Sequence, residues 1–63
     1  MRSIAQIFKD IDDVRKLSDR IESLTSISRI DCGLISNTLI GQGRREFSDD
    51  ELNELVITYL LMQ

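Results

Sequence analysis

Few residues in this chain could do chemistry. It has one cysteine, Cys32, and no histidine. Without histidine there is no Ser-His or Cys-His pair, and no ordinary acid–base group near neutral pH. Cys32 has Arg29 one turn before it and Asp31 beside it. An arginine nearby favours a thiolate, but a lone cysteine on a helix reads first as a half-buried small hydrophobe. One cysteine also cannot assemble a structural zinc site. Two acidic clusters, Asp12-Asp13 and Asp49-Asp50-Glu51, could attract a divalent cation. Neither has calcium-loop spacing, and the second is accounted for by helix capping. These residues predict no enzyme, no metal and no cofactor.

The basic residues give a second candidate. Gly41-Gln42-Gly43-Arg44-Arg45 joins a glycine-rich turn to two arginines. It lacks the Lys-Ser/Thr pair and the preceding strand of a phosphate-binding loop. Arg29, Arg44 and Arg45 are the candidate contacts to phosphate or to a partner. The competing reading is a solvated turn, which the net charge of −3 favours. A three-helix chain also invites comparison with helix-turn-helix domains. Its candidate recognition helices carry one base or none, and apart from Asn37 lack the side chains that read base edges.

The elements that must position these residues are helical. Over 3–26, Ile4, Ile7, Phe8, Ile11, Val14, Leu17, Ile21 and Leu24 recur at spacings of three and four, which makes one apolar stripe. Lys9, Asp10, Asp12, Asp13, Arg15, Lys16, Asp19, Arg20 and Glu22 take the other face. Ser3 can cap the start, and Asp12 to Lys16 is a favourable i,i+4 pair. Thr25-Ser26-Ile27-Ser28 weakens the helix, since hydroxyl side chains prefer caps. A second helix is predicted over 29–40, with Ile30, Leu34, Ile35 and Leu39 inward; the alternative is a first helix running unbroken to about residue 40. Gly41-Gln42-Gly43 ends this segment. A third helix over 48–62 has the strongest start signal in the chain. Ser48 is its N-cap, Glu51 the reciprocal partner, and Phe47 with Leu52 a hydrophobic staple.

The fold class is therefore all-α, a small helical bundle in one domain over 1–63. A chain of 63 residues buries only about 60% of its unfolded surface, so its core is marginal. Chains of this size usually gain support from disulfides, a metal or a partner subunit. With one cysteine and no histidine, a partner subunit remains, alongside very efficient helix packing. The third helix expects an inner stripe of Leu52, Leu55, Val56, Tyr59 and Leu60, with Ile57, Leu61 and Met62 projecting elsewhere. Surplus apolar surface of this kind marks an interface. Leu55, Val56, Ile57, Tyr59, Leu60, Leu61 and Met62 are the predicted self-association residues, and a homodimer that binds a further protein is the expected assembly.

No apolar run approaches the ~20 residues of a spanning helix, so no membrane partner is expected. One unpaired cysteine and no signal-peptide pattern point to the cytoplasm. Residues 1–27 carry five bases and five acids, whereas 48–63 carry four acids and no base. Read whole, from Met1-Arg2-Ser3-Ile4-Ala5-Gln6-Ile7-Phe8 to Tyr59-Leu60-Leu61-Met62-Gln63, the chain reads as a complete small open reading frame. It resembles the short early proteins of lambdoid bacteriophages, such as those encoded between the exonuclease and excisionase genes of lambda. The resemblance covers the full length without a diagnostic motif. It implies an accessory role in host takeover or lytic development through binding of a host protein. The alternative, read from Arg29, Arg44 and Arg45 themselves, is a nucleic-acid-binding regulator.

Overall fold

Each helix starts where a serine side chain can take over an orphan backbone N–H. The structure, a computed structural model, describes residues 3–63; Met1 and Arg2, which enter the charge balance above, lie outside the described residues. It contains α1 (Ile4–Thr25), α2 (Arg29–Gly41) and α3 (Asp49–Leu61), and no strand among the described residues. Ser3 Oγ accepts from the Gln6 N–H at 3.2 Å. Ser28 Oγ accepts from the Asp31 N–H at 3.1 Å and donates to the Asp31 carboxylate at 2.9 Å. Ser48 and Glu51 form the reciprocal capping box, and Phe47 and Leu52, the expected staple, are both buried. The three predicted helices are thus present, with Ser3 and Ser48 as caps just outside them.

The helix ends are as local as the starts. Ser26 adopts a left-handed conformation (φ 57°), and its N–H donates to the Glu22 carbonyl at 3.0 Å. That residue stops α1 and rules out a single helix running to residue 40. α2 runs one residue past its predicted end, to Gly41. Gly43, at φ 85°, donates its N–H to Ile40, and the Arg44 N–H reaches the Leu39 carbonyl at 3.1 Å. This is a Schellman arrangement, in which glycine occupies the left-handed position without a Cβ penalty.

Leu17 and Ile21 of α1, Cys32, Ile35, Leu39 and Ile40 of α2, Phe47, and Leu52 and Val56 of α3 form the core. Each fully buried Leu or Ile contributes about 1.5–3 kcal/mol. α2 turns back along α1. Arg29 at its start lies beside Asp19 and Glu22, whereas Ile40 and Gly41 at its end share a cleft with Ile7 and Ile11. α1 has 22 residues and a length of about 33 Å, and α2 has 13 and about 20 Å. The molecule measures 35 Å along its longest axis, so α1 sets its length.

Several inward assignments need correction. On α2, Ile30 (78% exposed) and Leu34 (54%) face outward, and Cys32, Ser36 and Ile40 are buried with Ile35 and Leu39. Centring the buried face on Ile30 and Leu34 would bring Asn37 and Gly41 inward. The observed face buries Ile35, Leu39 and Ile40 together, with Ser36 as its one polar member. On α3, Leu60 is exposed because the core ends at Val56, with Leu55 and Tyr59 packed at its margin. On α1, the stripe is buried only in its C-terminal half. Ile4, Ile7, Phe8 and Ile11 are exposed, and Asp10, assigned to the polar face, is buried.

Candidate interaction surfaces

The exposed half of the α1 stripe follows from helix lengths. Returning from Thr25, α2 ends with Ile40 and Gly41 beside Ile7 and Ile11, so the first turns of α1 lie at and beyond its end. Those turns carry Ile4 (73% exposed), Ile7 (46%), Phe8 (66%) and Ile11 (60%). Beside them opens a cleft of about 240 Å³ lined by Ile7, Asp10, Ile11, Val14, Asn37, Ile40 and Gly41. The signal was available in the sequence: a first helix of 3–26 cannot be covered along its length by a returning helix of 29–40.

A second apolar region belongs to the predicted self-association residues. Val56 is buried, and Leu55 and Tyr59 are half-buried against the chain's own core. Ile57, Leu60, Leu61 and Met62 remain exposed, Leu61 and Met62 at about 80%. A cleft of about 260 Å³ lies between α2 and α3, with Ile35, Leu39, Leu55, Tyr59 and Met62 among its walls and Gln42 and Arg44 among its polar lining. Tyr59 closes the helix pair by donating its hydroxyl hydrogen to Asp31 at 3.0 Å. Partial burial and then this bond raise the phenol's pKa above its ordinary value.

The three arginines are not brought to one site. Arg29 sits 3.5 Å from Glu22 and 3.9 Å from Asp19. Arg44 pairs with Glu51, and its guanidinium lies 4.7 Å from the centroid of the Phe47 ring. Arg45 reaches back to α1, bonding Asp10 at 2.6 Å and pairing with Asp13. That contact explains the burial of Asp10, which also accepts from the Gln6 amide at 2.9 Å. The Arg45 guanidinium is held still more firmly in its charged form by Asp10, then by Asp13. Sequence spacing gives no sign of these contacts, because the partners lie 32 and 35 residues apart.

Cys32 is buried, and its thiol points at the Ile27 carbonyl, 3.9 Å away. Burial, followed by the charges of Glu22 and Asp31, pushes its pKa up, so the thiol is held in its neutral, unreactive form. Lys16 at 3.0 Å and Arg15 at 2.8 Å hold the exposed Asp12 carboxyl below its ordinary range. Asp49 is engaged by Arg20 at 2.6 Å. Among the described residues no group of three or more His, Cys, Asp or Glu side chains is placed to hold a metal, and no helix is long and apolar enough to cross a membrane. No family model, curated protein or solved structure matches the chain.

Proposed function

We propose that this chain is a small helical interaction protein of the cytoplasm that works as a homodimer and docks on another protein through apolar helix surface. One observation carries the reading. Among the described residues ten large apolar side chains are exposed, against nine buried hydrophobic ones. Scattered exposed leucines are ordinary, but contiguous groups on successive turns mark binding surfaces. The resemblance to short early phage proteins makes a bacterial protein the first partner class to test. Ile57, Leu60, Leu61 and Met62 at the end of α3 are the surface assigned to that partner. The nucleic-acid alternative is less well supported, since Arg29, Arg44 and Arg45 are each paired with carboxylates of the chain itself.

The test is capture from bacterial lysate by the wild type and by Leu61→Lys, followed by titration of the purified captured protein. A direct complex weakened at least ~10-fold by Leu61→Lys is expected, the loss of roughly one buried leucine side chain. A complex indifferent to Leu61→Lys, or no direct complex, overturns the assignment. A gel shift at low salt that weakens with Arg44→Ala and Arg45→Ala would install the nucleic-acid reading instead.

A further inference from the structure

The exposed N-terminal turns of α1 have a pattern that reads the same in both directions. Ile4, Ile7, Phe8 and Ile11 are spaced three, one and three residues apart. A twofold axis normal to α1 and passing between Ile7 and Phe8 sets two copies antiparallel. Ile4 of one copy then lies opposite Ile11 of the other, and Ile7 opposite Phe8, so every member of the stripe meets an apolar side chain. A twofold interface requires this kind of self-complementarity, because one patch must serve as both halves.

The polar neighbours suit the same register. Gln6 falls opposite Lys9, Ala5 opposite Asp10, and Ser3 opposite Asp12, so no like charges are opposed. The acidic surplus of the chain, Asp49, Asp50, Glu51 and Glu54, lies on α3 and not on this stripe. Two chains of net charge −3 can therefore meet at α1 without bringing those carboxylates together. The cleft beside the stripe offers Ile7, Ile11, Val14 and Ile40 to the incoming copy, with Asp10 and Asn37 as its polar walls.

We infer that the first turns of α1 are the seam of a twofold homodimer, joined antiparallel about an axis between Ile7 and Phe8. This rests on the reading of the chain as an interaction protein, and it moves self-association from α3, where the sequence placed it, to α1. The end of α3 is then left open in both copies. Ile7 and Ile11 share their cleft between the dimer and the monomer core, while Phe8 serves the seam alone.

Light scattering coupled to size exclusion, from roughly micromolar to millimolar chain, tests the seam on wild type, Phe8→Glu and Leu61→Glu. Phe8 and Leu61 are both exposed, so circular dichroism should show each variant helical; Phe8→Ala replaces Phe8→Glu if it does not. The expected result is a wild-type mass of two chains, unchanged in Leu61→Glu. The Phe8 variant should dissociate at concentrations at least ~10-fold higher than those at which wild type does. A wild type monomeric throughout, a mass other than two chains, a dimer that survives the Phe8 change, or one lost with Leu61→Glu overturns the inference. The first three results leave the capture experiment untouched, since its readout is a different protein on a different helix; loss of the dimer with Leu61→Glu would instead place Leu61 in the self-association surface and withdraw it from the partner surface.

Discussion

One hydroxyl joins the last turns of α3 to the first turn of α2. Tyr59 donates to one oxygen of Asp31, and Ser28 donates to the other. The phenol is partly buried and faces a carboxylate, so ionising it would lose solvation and set two negative charges side by side. Its pKa in the folded chain therefore lies above the unfolded value. The linkage has a definite sign. A raised folded pKa contributes stability that is complete below the unfolded pKa, about 10 for tyrosine, and is lost as pH rises through the folded pKa. Tyr59→Phe should therefore lower stability at neutral pH and reduce the alkaline decline relative to wild type. Thermal unfolding followed by circular dichroism across that range checks it. The chain has one tyrosine, so a spectrophotometric titration of the native protein reports this residue alone. An ordinary phenol pKa would mean that the Asp31 contact is not made in solution.

At the scale of the helix, ends are set by local chemistry and faces are not. A hydroxyl three residues ahead of a backbone N–H can cap it whatever the rest of the molecule does, which is why Ser3 and Ser48 were legible in the sequence. Ser48→Ala removes one side of the α3 capping box and should cost about 1–2 kcal/mol. Ser26 offers the opposite sign. It holds a left-handed φ that strains any residue with a Cβ, so Ser26→Gly should gain up to ~1 kcal/mol despite a more flexible unfolded chain. Urea unfolding of both variants, with unchanged m-values, reads the two effects directly. The faces were less legible. Periodicity says which residues share a side of a helix, but not how far the neighbouring helix reaches along it. Ile4 and Leu17 belong to one stripe on α1, yet only Leu17 has a helix against it. On α2 the spacing put Ile30 and Leu34 inward with Ile35 and Leu39, and the packing instead buries Cys32, Ser36 and Ile40 beside Ile35 and Leu39.

Across the whole molecule, the segment between α2 and α3 is held by Phe47 in the core and by ion pairs whose partners are distant in sequence. Arg45 ties this segment to the middle of α1 through Asp10 and Asp13, and Arg20 ties the start of α3 to α1 through Asp49. Adjacent arginines after a glycine turn suggested a basic surface, because nothing in the local sequence records carboxylates 32 and 35 residues earlier. The two kinds of arginine pair should differ in strength. The Arg45 side chain is 33% exposed against carboxylates at 13% and 20%, while Arg29 is 76% exposed against Glu22 at 39%. Water and salt screen the second pair far more than the first, and fully exposed pairs often contribute nothing measurable. Arg45→Ala should therefore lower the melting temperature in both low and high salt. Arg29→Ala should leave it nearly unchanged, with any small loss at low salt disappearing at high salt. Equal effects of the two substitutions, or an Arg45→Ala effect abolished by salt, would mean that Phe47 holds the segment without help from Arg45, which is then a solvated surface charge.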